Sequence, residues 1–236
     1  MLKRERNKAM KYDVIFFDLD DTLFDFGKSE KGALQKTFEA FGLPNGLIDY
    51  RSSYREISNV LWGELEQGKL SITKLGTERF RRLFEKHGLS LDGTAFNHAY
   101  LENLSKEIYL VDGADIFFDS LPEERSAIIT NGFKHVQLPK IGNSPLHNTF
   151  EAVIISEETG FQKPDYRIFD YAFSKLGLTD KASALMVGDS LTSDMQGGIN
   201  YGIDTCWFNP DHKENTTGME PTYDINHLTE LIPIAK

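Results

Sequence analysis

A short stretch near the start of the chain constrains the fold most: residues 14–25 read VIFFDLDDTLFD. The four apolar residues at 14–17 lack the alternation of a half-exposed strand, and such a run favours a strand covered on both faces. Three aspartates, Asp18, Asp20 and Asp21, follow at once. Carboxylates at the end of a buried strand repel one another and resist removal from water, so another group must offset that cost.

The second half of the chain alternates apolar runs with helical or loop stretches. The runs lie at residues 127–129, 152–155, 184–187 and 205–208. This alternation predicts βαβ units and a parallel sheet with helices on both faces. Together with the first strand, these runs predict an α/β fold with a Rossmann-like three-layer core.

A series of helical patterns separates the first strand from the others. Apolar residues recur at helical spacing in four segments, 30–41, 47–65, 71–87 and 92–109. Short breaks that contain glycine separate the segments. We therefore predict an all-helical cap domain at 28–106, inserted into an α/β core formed by 1–27 and 107–236.

Composition excludes several classes of partner. The formal net charge of the 236 residues is -10, which disfavours a nucleic-acid polymer because binding to a phosphate backbone depends on a basic surface. No apolar run approaches the length of a membrane span. A small molecule is the expected partner, and the chain is expected to be a monomer or a homodimer.

The single cysteine, Cys206, excludes an internal disulfide and fits a reducing cytoplasm. The basic, polar residues 1–10 lack the apolar core of a signal peptide. We interpret them as a solvated, disordered extension, with Met10 as an alternative start. A cytoplasmic location is the expectation.

Polar residues follow the predicted strands at the points where each strand ends. In an open parallel sheet, the carboxyl ends of the strands border the ligand crevice. Strands one and two lead to residues 18–22 (DLDDT) and 130–132 (TNG), and strands three and four lead to 162–164 (QKP) and 188–194 (GDSLTSD). We expect these groups to converge at one edge of the sheet.

Their chemistry is complementary. Aspartates without histidine form a hard-cation site that suits Mg²⁺. Hydroxyl, amide and lysine groups suit a phosphate. A divalent metal and Lys163 would neutralise the carboxylates after the first strand, and a substrate phosphate would complete the site.

Four ordered motifs now carry a family resemblance: Asp18-x-Asp20-x-Thr22, IITNG at 128–132, Lys163-Pro164, and VGDSLTSD at 187–194. The set resembles the motifs of the haloacid dehalogenase superfamily, and the helical insert resembles its first cap type. Four further stretches, LW at 61–62, EQGK at 66–69, GFQKP at 160–164 and DTCWFNP at 204–210, resemble the bacterial pyrimidine 5′-nucleotidase subgroup.

The resemblance implies a role for each aspartate. Asp18 would be the nucleophile that takes the phosphoryl group as an aspartyl-phosphate. Asp20 would protonate the leaving oxygen and then activate water. Mg²⁺ would be held by Asp18, by the backbone carbonyl of Asp20 and by Asp189.

The other motif residues receive binding or supporting roles. Thr130, Asn131 and Lys163 would bind phosphate oxygens, and Lys163 would also assist catalysis. Thr22 and Asp194 would support the site. Asp194 would act through a metal-bound water or by holding Lys163, and it is also a candidate N-cap for a helix at 194–201.

The predicted function is that of a Mg²⁺-dependent phosphomonoesterase, a 5′-nucleotidase for pyrimidine nucleoside monophosphates. Phosphatases of small sugar phosphates or phosphoglycolate are the alternative. Two other classes stay open, a 2-haloacid dehalogenase and a non-catalytic regulatory module. The insert and its approach contain the aromatic residues Phe24, Phe26, Tyr54 and Trp62. They could stack on a base whose edge Asn59, Glu66 and Arg79 would read, or they could instead form the core or a hinge of the insert.

Overall fold

The computed structural model describes residues 11–120 and 125–236. The extension predicted at 1–10 lies outside the described residues. The chain forms two compact units. An α/β unit contains the chain up to Leu23, Leu110–Thr130 and Asn148–Lys236, and a helical unit contains Phe24–Tyr109 and Asn131–His147. The domain boundaries predicted at 28 and 106 remain predictions.

Parallel strands form a six-stranded sheet in the α/β unit, in the order β3-β2-β1-β4-β5-β6. The strands are β1 (Val14–Phe17), β2 (Ser126–Thr130), β3 (Ala152–Ile155), β4 (Ala184–Gly188), β5 (Asp204–Phe208) and β6 (Tyr223–Ile225). Strands β2 and β3 are added on one side of β1, and the chain then crosses over so that β4 pairs with the other side of β1. Ligand crevices of open α/β sheets lie at such a reversal.

The part of the chain that the structure describes contains ten α-helices, distributed over the two units. They are α1 (Phe26–Ala40), α2 (Gly46–Glu66), α3 (Ile72–His87), α4 (Gly93–Leu104), α5 (Ala114–Ser120), α6 (Lys134–Gly142), α7 (Ser156–Thr159), α8 (Tyr166–Leu176), α9 (Gln196–Tyr201) and α10 (Leu231–Ala235). Among the described residues, no helix is long and apolar enough to cross a membrane.

Helices cover both faces of the sheet. Two successive residues of β1 show this, since their side chains point to opposite faces. Phe16 contacts Phe173 of α8, with ring centroids 5.8 Å apart. Phe17 contacts Phe117 of α5 on the other face, at 5.6 Å. The residues of β1 are fully buried, as the unbroken apolar run predicts. The predicted three-layer α/β class is confirmed.

The helical unit is built from α1 to α4 around an aromatic core. Phe80 contacts Phe96 and Tyr54 at 4.7 and 5.4 Å between ring centroids. The ends of α3 follow the capping pattern of its sequence. Ser71 accepts a hydrogen bond from the Lys74 N–H at the start, and Gly88 adopts a left-handed conformation at the end.

Two features differ from the sequence pattern. Strand β6 was not predicted, since its three residues contain no apolar run. Helix α6 is short, as Pro139 and Pro145 suggest, but Pro139 lies inside it and α6 ends at Gly142.

Cys206 lies in β5 and is fully buried, as expected of a small core residue.

Candidate active site

Two adjacent central strands bring the first and last motifs together. Phe17 of β1 is in register with Val187 of β4. The Asp18 N–H continues this ladder by donating to the Val187 carbonyl at 2.9 Å. Asp18 and Asp189 therefore follow neighbouring strands at the reversal of strand order, where the sequence predicted convergence.

Lys163 links two of the carboxylates in the interior of the α/β unit. Its side chain is 1% exposed, and Nζ donates to Asp18 Oδ1 at 2.5 Å and to Asp194 Oδ1 at 2.7 Å. It also donates to the Ile129 carbonyl at 2.6 Å, which ties the end of β2 to the same point. Burial lowers the pKa of Lys163, but the two carboxylates outweigh that effect and raise it above its ordinary value, so the ammonium stays charged.

The carboxylates outnumber the cations at this site. One oxygen from each of Asp18, Asp189 and Asp194 lies within 4.8 Å of the others. Burial raises the pKa of Asp18 to about 7 against the opposing effect of Lys163. Burial, followed by the charges of Asp194 and Asp18, also raises the pKa of Asp189 well above its ordinary value. Among the described residues, Lys163 is the one basic side chain that contacts this group of three carboxylates. The carboxylate oxygens are the donors that a hard divalent cation prefers.

A tight turn after β4 sets the position of Asp194. The turn is a π-helical segment, Leu191–Met195, and its cap is Ser190, whose side chain accepts from the Ser193 N–H. The prediction of Asp194 as an N-cap is wrong. Its Oδ2 instead accepts from the Ser190 N–H at 3.0 Å while Oδ1 faces Lys163. Gly188 makes room for this arrangement, because a Cβ there would lie 2.2 Å from Asp194 Oδ2.

The remaining predicted residues lie at the ends of β1 and β2. Thr22 Oγ1 donates to Asp189 Oδ1 at 3.4 Å. Asp20 is half-buried in the turn that follows β1. Thr130 is the last residue of β2 and is buried. Asn131 follows it directly and belongs to the helical unit.

The aromatic residues considered for base stacking are mostly part of the core. Phe24 is fully buried and Tyr54 is 1% exposed, which favours the core role that their spacing had left open over base stacking. Trp62 and Phe26 are half-buried and pack against the core of the helical unit. Arg79 is buried, and its Nη2 donates to Asn97 Oδ1 at 2.8 Å rather than facing solvent.

Gly188 and Ser190 belong to the stretch that was expected at the site, but neither was given a role of its own. A glycine between an apolar strand and an aspartate was the available signal, since it marks a close approach of the backbone to another group. The contact with Asp194 could not be predicted from the pattern, because it depends on the π-helical turn.

Comparison with known proteins assigns the family. Residues 12–202 match the family model described as haloacid dehalogenase-like hydrolase. The chain belongs to this family, and the predictions of the superfamily and of a hydrolase are confirmed.

Relatives in this family are similar over nearly the whole chain. The pyrimidine 5′-nucleotidase PynA of Streptococcus pneumoniae is 36% identical and covers 94% of each chain. The pyrimidine 5′-nucleotidase YjjG of Escherichia coli is 34% identical over 94% of this chain and 97% of its own length. The HAD-hydrolase YfnB of Bacillus subtilis, in a crystal structure with bound magnesium, superimposes with a TM-score of 0.88 at 36% identity, over 96% of this chain and 99% of YfnB.

Proposed function

We propose that the chain is a Mg²⁺-dependent phosphomonoesterase that acts through an aspartyl-phosphate on Asp18, with pyrimidine nucleoside 5′-monophosphates as substrates. The enzyme class is that of the phosphoric monoester hydrolases, the class to which the names of PynA and YjjG belong. The substrate, the metal and the roles of the residues are the parts that need testing.

The observation that carries the proposal is the buried cluster around Lys163. Three carboxylates cluster beyond the carboxyl ends of β1 and β4, and two of them, Asp18 and Asp194, accept from the Lys163 ammonium. Such an excess of buried negative charge is costly unless a cation compensates it. The oxygen-only donor set fits Mg²⁺, which would be held by Asp18, Asp189 and the Asp20 carbonyl. When bound, Mg²⁺ would neutralise charge on the phosphate and on the carboxylates.

Asp18 is the proposed nucleophile. Its Oδ2 would form a bond to phosphorus while the bond between phosphorus and the ester oxygen breaks. Lys163 holds the other carboxylate oxygen, Oδ1, at 2.5 Å and so limits rotation of the side chain. Asp194 holds Lys163 in turn, which is one of the two roles predicted for it.

Asp20 is the proposed acid and base. It would give its proton to the departing ester oxygen, which leaves as an alcohol. It would then take a proton from water as that water attacks the phosphorus of the aspartyl-phosphate. Inorganic phosphate leaves, and Asp18 and the protonated Asp20 are regenerated. Thr130 and Asn131 would bind the phosphoryl oxygens through a hydroxyl and an N–H.

The dehalogenase and regulatory alternatives account for fewer of these groups. Displacement of a halide needs neither a proton donor at Asp20 nor a cation between Asp18 and Asp189. A regulatory module would not need the full carboxylate set, and all members are present in this chain. A cytoplasmic location and a monomeric or dimeric state stay predictions.

Metal removal tests the catalytic part of the proposal. Hydrolysis of uridine monophosphate should stop in chelator and return when Mg²⁺ is added. Asp189→Ala should raise the Mg²⁺ concentration needed for half-maximal activity. Full activity in metal-free buffer would contradict the proposal.

A substrate series tests the specificity. The measurement is kcat/KM for uridine and thymidine monophosphates against purine nucleotides, phosphoglycolate and hexose phosphates. A pyrimidine preference that is weakened in Trp62→Ala would support a base-reading role for the helical unit. Higher kcat/KM for sugar phosphates would replace the nucleotide proposal with the sugar-phosphatase alternative.

A further inference from the structure

Trp207 entered the sequence analysis only as part of the DTCWFNP stretch, without a role of its own, yet it contacts the backbone of the proposed metal ligand. It lies in β5, is 4% exposed, and is in register with Gly188 of β4. Its indole Nε1–H donates to the Asp189 carbonyl oxygen at 2.9 Å. An indole N–H can donate only one hydrogen bond. In Trp207 that bond goes to Asp189, the residue directly after β4.

The peptide group between Asp189 and Ser190 is consequently held at both ends. Trp207 binds its carbonyl oxygen, and Asp194 Oδ2 accepts from its N–H at 3.0 Å. Asp194 also accepts from Lys163, which donates to Asp18. A continuous series of hydrogen bonds therefore runs from the indole to the proposed nucleophile through the backbone of Asp189.

Rotation of this peptide plane would move the Asp189 side chain, because the carbonyl carbon is attached directly to its Cα. The part-buried carbonyl would also lose a hydrogen-bond partner if the indole N–H were removed, which costs free energy. Groups that orient metal ligands in this way typically change metal affinity about 10- to 100-fold when they are altered.

We propose that Trp207 is a positioning residue that fixes the backbone from which the Asp189 carboxylate binds Mg²⁺. This inference rests on the proposed function. It predicts that loss of the indole N–H weakens Mg²⁺ binding, in addition to any loss of stability from the core. A purely structural tryptophan would alter stability and leave the affinity for Mg²⁺ unchanged.

The test compares two variants of the full chain by calorimetric titration with Mg²⁺. Trp207→Phe keeps an aromatic ring but removes the donor, and should weaken Mg²⁺ binding about 10-fold or more. Its kcat should recover at saturating Mg²⁺. Phe208→Leu is the control, since Phe208 is buried in the same strand and points to the opposite face of the sheet. It should lower the melting temperature without changing Mg²⁺ affinity.

Equal Mg²⁺ affinities for wild type and Trp207→Phe would overturn the role of Trp207 and leave the proposed function standing. A wild-type chain that binds no Mg²⁺ would overturn both. If Trp207→Phe does not fold, indole N–H signals of ¹⁵N-tryptophan-labelled wild type decide the matter. The chain has two tryptophans, and Trp62→Phe identifies the Trp207 signal. That signal should shift when Mg²⁺ is added, and a fixed signal would contradict the inference.

Discussion

Both units of the molecule bury basic side chains, and two of them, Lys163 and Arg79, are neutralised in different ways. In the α/β unit, Lys163 lies between Asp18 and Asp194. In the helical unit, Arg79 is 2% exposed and is held by neutral groups. Its Nε and Nη2 donate to Asn97 Oδ1 at 3.2 and 2.8 Å, and its guanidinium carbon lies 4.7 Å from the centre of the Tyr100 ring.

The contrast separates a buried charge that neutral groups satisfy from the buried charge at the proposed site. Arg79 is surrounded by amide, hydroxyl and aromatic groups whose dipoles and π faces stabilise a cation locally. Among the described residues, the cluster around Lys163 has three carboxylates and one lysine, so either protons or a bound cation must balance its charge. An uncompensated buried charge at the end of parallel strands is therefore stronger evidence for a site than burial of a charge alone.

The largest expected effect is on the functional side of the comparison. Asp18→Asn keeps the shape of the side chain and removes the nucleophilic carboxylate, so kcat for uridine monophosphate should fall about 10³-fold or more. The melting temperature in chelator should be unchanged or higher, because one negative charge leaves the cluster. Normal turnover by this variant would contradict the assignment of Asp18.

A second change tests how tightly the cluster is packed. Gly188→Ala places a Cβ where the Asp194 carboxylate lies, and overpacking of this kind costs about 1–3 kcal/mol in unfolding free energy. Activity should fall with stability, because Asp194 also holds Lys163. The control is Gly63→Ala, where a Cβ meets nothing within 4 Å. Within α2 this change should stabilise the chain by about 0.5–1 kcal/mol. Chemical denaturation measures both, and equal effects would refute the packing argument.

Arg79 provides the matching test in the helical unit. Arg79→Met leaves the Asn97 carbonyl buried without its donor, and should lower the unfolding free energy by about 1–3 kcal/mol. Arg81→Met is the control on the same helix, because Arg81 is half exposed and pairs with Glu78 and Glu85. It should cost far less stability than Arg79→Met, because exposed ion pairs contribute little. Similar losses for the two variants would show that burial of Arg79 contributes little.

The smallest expected effect is the acid sensitivity of a surface carboxylate. Hydrogen bonds from Arg81 lower the pKa of Glu78 from 4.5 to about 2. A lowered folded-state pKa contributes stability above pH 4.5, and this contribution is lost as the pH falls through about 2. Because the pair is partly solvated, the contribution should stay below about 1 kcal/mol. Glu78→Gln should flatten the dependence of melting temperature on pH between 5 and 2.5, and an unchanged slope would contradict this assignment.

The sequence could predict the sheet and much of the site because both follow from local pattern. Unbroken apolar runs marked β1 and β4, and the polar residues just past them, Asp18 and Asp189, were expected to meet for that reason alone. Register in a parallel sheet brings the ends of neighbouring strands together without further information.

The missed features depend on contacts between residues that are distant in sequence or on an unusual turn. Asp194 resembled an N-cap because of its place before a helical pattern, whereas the π-helical turn makes Ser190 the cap. Tyr54 has the same helical spacing whether it faces solvent or the core, and its stacking on Phe80 decides the matter. Trp207 reaches Asp189 only through the pairing of β5 with β4.

Because Cys206 is buried, the rate at which its thiol is labelled reports how often β5 becomes exposed. Burial raises the pKa of the thiol, so a thiol reagent should modify it only during excursions that expose β5. With one cysteine in the chain, each molecule carries one label or none, and a mass spectrum counts the molecules that have opened. When reclosing is faster than modification, the labelling rate measures the free energy of opening, and when modification is faster it measures the opening rate itself. A ligand that binds only the folded α/β unit should slow labelling in proportion to its occupancy.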